Sequence, residues 1–375
     1  MIQRFLKIEP RLEQNKVLII YGPRQVGKTT LVNNYLSQAQ CKWQFFTGDD
    51  LEFANDLAQC NLELIKKMFL KTELLVIDEA QKIKNIGQAL KLIVDHIPNI
   101  RVIATGSSSF ELATATSEAL TGRKNVITLY PISILELALE HSEYEITKKF
   151  PELMRFGSYP NVLTYPTFQQ KMNRITEIKD SYLIKDILDF HKVRNSKTVI
   201  DLLKLLAFQL GNEVSTSELG AQLNLDHKTI KRYLDLLEKS FVIYRIDGFS
   251  RNLRKEVSKM SKYYFYDLGI RNAIISNFND FDTRNDLGAL WENFCVMERI
   301  KRNSYHQDKK NIYFWRTYDQ KEIDLIEEFG GQLFGFEFKW KSKKKKAPKD
   351  WTNAYPDASY KIISPENAFG FLTKA

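Results

Sequence analysis

The first residues along the chain whose types and spacing could do chemistry are Gly22-Pro23-Arg24-Gln25-Val26-Gly27-Lys28-Thr29, followed by Thr30. Two glycines five apart, then lysine and threonine, make the spacing of a loop that cradles a phosphate chain. Gly22 and Gly27 let the backbone curl so that its N–H groups face the phosphates, and a helix starting near Lys28 points its positive end at them. Lys28 then reaches the β- and γ-phosphates, and the Thr29 hydroxyl is placed for Mg2+. The expected ligand is MgATP held by residues 22–30, although these residues alone would suit GTP as well.

A second set is Leu74-Leu75-Val76-Ile77-Asp78-Glu79. Four apolar residues predict a buried strand, with Asp78 at its carboxyl end to hold the magnesium through water and Glu79 placed to polarise an attacking water. A helix-capping Asp-Glu pair after a strand would read the same way. Thr105 and Ser107, in Ala104-Thr105-Gly106-Ser107-Ser108-Ser109, are candidates to sense a γ-phosphate; Gly and Ser are also ordinary turn residues. Arg123, in Leu120-Thr121-Gly122-Arg123, could stabilise charge on a transferring phosphoryl group, from the same chain or a neighbour, with Arg24 a lesser candidate.

A third set comes late. Glu322-Ile323-Asp324 and Glu337-Phe338-Lys339 lie on successive predicted strands, and period two puts Glu337 and Lys339 on one face. If the strands pair, Asp324 can share a divalent ion with Glu337 while Lys339 holds a water or a phosphate. Glu292, on a predicted helix, would complete the acidic set. Oxygen ligands suit Mg2+ or Mn2+. A strand with solvated charges would show the same residues.

These sets need elements to position them. Short β-rich runs at Val17–Tyr21, Trp43–Thr47, Leu74–Asp78, Arg101–Thr105 and Asn125–Leu129 alternate with helical patterns such as Thr29–Leu36 and Leu90–His96. That alternation predicts an α/β fold with a parallel sheet covered by helices on both faces, ligands binding beyond the carboxyl ends of its strands. The expected division is 1–135 for this nucleotide domain, 136–195 for a helical connector or lid, 196–275 and 276–375. In the third of these, Ser215–Asn224 and Asp226–Lys239 read as two helices, the second with Ile230, Tyr233, Leu234 and Leu237 inward. Lys228, Lys231 and Arg232 fall on its outer side, and Phe241–Ile246 and Lys262–Tyr266 could form wing strands of a winged helix that contacts DNA. Asp226, Asp235 and Glu238 dilute that face, and a lid or docking module is the other reading. The last segment reads as a helix from about Asp286 and short strands at Ile312–Arg316, Glu322–Glu328 and Leu333–Trp340.

Composition bounds the class. A chain of 375 residues suits two or three domains, and 43% hydrophobic residues predict a packed interior. Net charge is +9, and Lys339–Lys349 holds seven lysines and no acid, which favours polyanionic partners if it is more than a solvated edge. Met1–Lys16 has no apolar core of a signal peptide, no run is long enough to cross a bilayer, and Cys41, Cys60 and Cys295 form no CxxC pair. The expected setting is the reducing cytoplasm, away from membranes.

With these residues in hand, the chain resembles a family of prokaryotic AAA-like P-loop ATPases. Its members carry GPRQVGKTTL, DE-x-Q, TGSSS and L-x-GR, here Gly22–Leu31, Asp78–Gln81, Thr105–Ser109 and Leu120–Arg123. The match extends to Phe156–Pro160, where the family usually has a second glycine and this chain has Ser158. Family members continue into a winged-helix segment and a restriction-endonuclease-like C-terminal region similar to PD-(D/E)xK nucleases, long catalogued as a domain of unknown function. Tyr263–Gly269 resembles a signature of that region, and Glu292, Asp324, Glu337 and Lys339 follow the nuclease order. The resemblance implies ATP hydrolysis with Mg2+, and DNA as a partner of the later segments. A nucleotide-dependent switch that binds a protein partner, or further copies of itself, without cutting DNA is the alternative.

Overall fold

The computed structural model describes residues 2–107, 119–184, 196–250, 261–317, 319–341 and 346–374. The chain divides into two compact units, one of Leu6–Tyr130 with Lys239–Phe241, the other of Met1–Phe5, Pro131–Glu238 and Val242–Ala375.

The first unit is a parallel sheet flanked by helices. Its strands are β1 (Val17–Tyr21), β2 (Trp43–Thr47), β3 (Leu74–Asp78), β4 (Arg101–Gly106) and β5 (Lys124–Thr128), in the order β2-β3-β4-β1-β5. β1 and β3 are buried along their whole length, which is why they read as unbroken apolar runs rather than alternating ones. Helices Lys28–Leu36, Leu51–Ala58, Leu62–Phe69 and Ile86–His96 connect them. The second and third start where Asp50 and Asn61 accept from backbone N–H groups of their first turns. From β1 the chain crosses to the edge strand β2, and β3 and β4 then fill the gap. The carboxyl end of β1 is thus a point where strand order reverses, and such points form binding crevices.

The second unit is built on a mixed sheet ordered β12-β11-β10-β9-β7-β8-β6. Its strands are β6 (Glu213–Val214), β7 (Ile243–Gly248), β8 (Ser261–Phe265), β9 (Asn311–Arg316), β10 (Glu322–Phe329), β11 (Gln332–Phe338) and β12 (Ser359–Ile363). β10 pairs antiparallel with both β9 and β11, so the two acidic segments do lie side by side. β7 pairs with β9 through Asp247↔Tyr313 and Gly248↔Phe314, making one sheet of strands from 196–275 and 276–375. Helix Leu287–His306 buries Trp291, whose Nε1 donates to Ile363 O of β12 at 3.1 Å. Helix His227–Lys239 buries Ile230, Tyr233, Leu234 and Leu237, as its periodicity predicts, and Leu236 besides.

Two sequence signatures meet in this unit. Helix Glu143–Phe156 ends at Gly157, and Asp267 caps helix Leu268–Ile274. The Asp267 carboxylate accepts from Ser158 N at 2.7 Å and Ile270 N at 3.2 Å. Ser158 has a use for its side chain: its Oγ accepts from buried Lys301 Nζ at 3.3 Å. No helix among the described residues is long and apolar enough to cross a membrane. Ser108, Ser109 and the lysines at 343–345 lie outside the described residues.

Candidate functional site

The glycine-rich turn follows β1 directly. Gly22 has φ 151°, and a Cβ there would lie 2.1 Å from Leu129 O, so only glycine lets the loop leave the strand. Gln25 (φ 60°) and Gly27 (φ 94°) also take positive φ, which curls the loop before helix Lys28–Leu36 begins. Pro23 and Val26 are buried, Arg24 is half-buried, and Gln25, Thr29 and Thr30 are exposed. Inside the loop, the buried Lys28 Nζ donates to Gly22 O and Pro23 O, both at 2.9 Å. Burial pulls its pKa down to about 8 against the opposing charges of Glu79 and Asp78, with Arg24 lowering it further.

Asp78 ends β3 next to this loop. Thr29 Oγ1 donates to its Oδ2 at 2.8 Å, and Thr105 Oγ1 donates to its Oδ1. Thr105 is fully buried, so here it orients Asp78. Glu79 adopts a left-handed backbone conformation, φ 49° and ψ 40°. Gln81 Nε2 bridges Glu79 Oε2 (2.6 Å) and Ser107 Oγ (3.0 Å). Gln81 stood in the DE-x-Q signature, but nothing in its spacing assigned it this positioning contact.

Arg123 requires a correction. Val17 N donates to Arg123 O at 2.8 Å, so Arg123 lies at the amino end of β1 and β5, whereas the loop leaves the carboxyl end. Four strand steps, about 13 Å, intervene. The guanidinium pairs instead with Asp95 at 2.6 Å. Its own chain's phosphates are out of reach, and only a neighbouring copy's nucleotide is left to it.

The second unit holds a separate acidic cluster. Carboxylate oxygens of Glu292, Glu322 and Asp324 lie within 4.8 Å of one another. Burial, then the charges of Glu292 and Glu337, push the Asp324 pKa well above the ordinary carboxyl value, and Phe338 N donates to its Oδ2 at 2.7 Å. Lys339 Nζ pairs with Glu337 Oε1 at 2.9 Å, on the shared face that period two required. Burial opposes the Lys339 charge, but the Glu337 hydrogen bond and the surrounding carboxylates raise its pKa.

Three members of this cluster were missed. Glu322 sits two residues before Asp324 on β10, a spacing that could have flagged it. Lys262, on β8, is fully buried and joins Glu292 Oε1 (3.1 Å) and Glu322 Oε1. Tyr264, two residues on, donates to Glu292 Oε1 at 2.7 Å. Lys262 precedes the Tyr263–Gly269 signature and Tyr264 lies within it, and only the pairing of β8 into this sheet reveals their contacts. All donors are hard oxygens, which fits Mg2+ or Mn2+, while the ammonium stands between two of them.

Comparison with known proteins agrees with the first site. Residues 14–138 match a family described as "AAA domain". Sheet and loop have the form of a P-loop nucleotide-binding domain, and this third of the chain is similar to AAA domains. Residues 147–280 and 287–370 match two domains of unknown function, DUF8612 and DUF4143. An uncharacterized protein of Mycobacterium tuberculosis is 27% identical over 342 residues, covering 89% of this chain and 72% of that one. Another from Methanocaldococcus jannaschii is 23% identical over 339 residues, covering 85% and 74%. Among solved structures, a signal transduction ATPase with a tetratricopeptide repeat sensor from Pyrococcus horikoshii is 14% identical at a TM-score of 0.29, over 77% of this chain and 44% of that one.

Proposed function

We propose that the chain binds MgATP through Gly22–Thr30 and hydrolyses it, coupling turnover to a DNA-engaging second unit. The Thr29–Asp78 contact carries the first half: the two groups that would hold Mg2+ already meet beside a buried lysine. With nucleotide present, Lys28 turns from the Gly22 and Pro23 carbonyls to the β- and γ-phosphates. Mg2+ would supply charge neutralisation on the phosphate oxygens. Glu79, steadied by Gln81, takes a proton from the water that attacks the γ-phosphorus, and the bond to the bridging oxygen breaks to release ADP.

For the second half, support comes from element order. Helix Ser196–Phe208, β6, helix Thr216–Leu223, helix His227–Lys239 and the β7–β8 pair follow one another as a winged helix requires. Lys228, Lys231 and Arg232 are exposed on the third helix, where a DNA backbone would be met. Glu292, Asp324 and Glu337 would hold a divalent ion that polarises a phosphodiester, with Lys339 on the phosphate. The Lys262 ammonium favours a second reading, in which the cluster is internally neutralised and the unit binds a protein partner without cutting.

The deciding experiment measures ATP hydrolysis with and without single- and double-stranded DNA, following the DNA for breaks in the same tube. Metal-dependent breaks that vanish in Asp324→Ala while hydrolysis survives support cleavage. A rate indifferent to DNA, with no salt-sensitive binding, overturns the DNA reading.

A further inference from the structure

The first unit carries a basic groove that the nucleotide chemistry does not use. It lies where the edge strand β2 begins and helix Leu62–Phe69 ends, and it encloses about 410 Å3. Lys42, Lys66, Lys67 and Lys71 line it, with Trp43 and Leu70, and no acidic side chain is among its lining. Lys66 lies 3.7 Å from the exposed Glu63, and Lys42 neighbours Glu73, whose N donates to Lys42 O at 2.9 Å. Trp43 is 46% exposed and Leu70 62%, whereas Trp291, Trp315 and Trp351 are buried. The groove is at the amino end of β2 and β3, the opposite end of the sheet from Lys28 and Asp78.

Four ammonium groups around a half-bare indole select a polyanion with a flat π surface. An acidic peptide would answer the charge, but its carboxylates gain nothing from the indole face. A nucleobase stacks on it, and the phosphates on either side meet the lysines. Bases in a duplex have no free face to offer, which leaves a single strand. We propose that this groove binds single-stranded nucleic acid, one base stacked on Trp43 and the backbone held by Lys42, Lys66, Lys67 and Lys71. The site is independent of the second unit and of whether that unit engages DNA.

The test is fluorescence anisotropy of a labelled oligothymidylate with the full-length chain at several salt concentrations, alongside its DNA-free ATPase rate. Trp43→Ala should weaken binding roughly tenfold or more, with Trp43→Phe recovering most of it. Lys66→Glu with Lys67→Glu should also weaken it and flatten the slope of log affinity against log salt by about 1.4. Both variants should keep the DNA-free rate. Wild-type affinity in both, with binding lost instead in Lys231→Glu/Arg232→Glu, overturns the proposal and moves the contact to the second unit. The reverse pattern upholds it. A polyglutamate peptide that outcompetes the oligonucleotide overturns it in favour of an acidic protein. Absence of any binding also overturns it, leaving the lysines to block edge-to-edge strand pairing.

Discussion

Thr29 Oγ1 donates to Asp78 Oδ2 at 2.8 Å, so a side chain at the start of a helix and one at the end of β3 meet before any nucleotide arrives. Two variants separate binding from turnover. Lys28→Ala should lose nucleotide affinity in calorimetry. Glu79→Gln should bind ATP as before and release phosphate about a hundredfold or more slowly. Equal phosphate release by wild type and Glu79→Gln would remove Glu79 from the chemistry.

Gln81 Nε2 donates to Glu79 Oε2 at 2.6 Å and to Ser107 Oγ at 3.0 Å, as a positioning residue would. Gln81→Ala should therefore lower the turnover rate with ATP affinity unchanged, and by less than Glu79→Gln does. A drop in affinity instead of rate would show that Gln81 supports the loop rather than the carboxylate.

The junction of the two sequence signatures has no room. A Cβ on Gly157 would lie 1.9 Å from Asp267 Oδ1, at φ 77°, and one on Gly269 would lie 2.0 Å from Phe156 O. Gly157→Ala should destabilise the chain by about 2 kcal/mol or more, read as a lower urea midpoint. Gly288, in the first turn of helix Leu287–His306 with nothing near its missing Cβ, is the control: Gly288→Ala should be neutral or slightly stabilising.

The helix that carries Glu292 is tied at its start by Asp286. Arg284 Nε reaches Asp286 Oδ1 at 2.8 Å and buried Arg271 reaches Oδ2 at 2.6 Å. Burial alone would raise the Asp286 pKa, but Arg284 and Arg271 outweigh it and bring it down to about 2. A carboxyl lowered on folding contributes stability above its unfolded value and loses it as pH falls toward the folded one. With solvent screening of this half-buried group, on the order of 1 kcal/mol should thus disappear between roughly pH 4 and 2. Urea midpoints measured down that range should fall less steeply in Asp286→Asn.

We expect Asp324 to work against stability where it sits. Its buried carboxyl, pushed upward by burial and by Glu292 and Glu337, is the kind of group kept for function at a cost to the fold. Asp324→Asn, whose amide oxygen can still accept from Phe338 N, should raise stability at neutral pH by on the order of 1 kcal/mol. Calorimetric titration with Mn2+ should show weaker binding in the same variant. A lower urea midpoint would mean the charge is structurally required.

Where a motif and its element coincide in one short segment, the residues were enough. The run Leu74–Ile77 is a buried strand because it has no polar side to expose, and Gly22–Gly27 falls between a strand and a helix as its spacing requires. The boundaries of β1 and β3 follow from the same unbroken apolar stretches. Glu337 and Lys339 share a face because strand period is a local property.

Contacts between distant segments were not legible. Arg123 looked suited to its own chain's phosphate or a neighbour's, and β1–β5 pairing put it at the wrong end of the sheet for the first. Lys262 gave no local signal, because its value comes from Glu292 and Glu322, 30 and 60 residues away in sequence. Local composition determined which elements form and what each could hold, since periodicity and turn chemistry act over a few residues. Only the tertiary structure decided which charges face one another, because sheet order and register are set by burial summed over the whole chain.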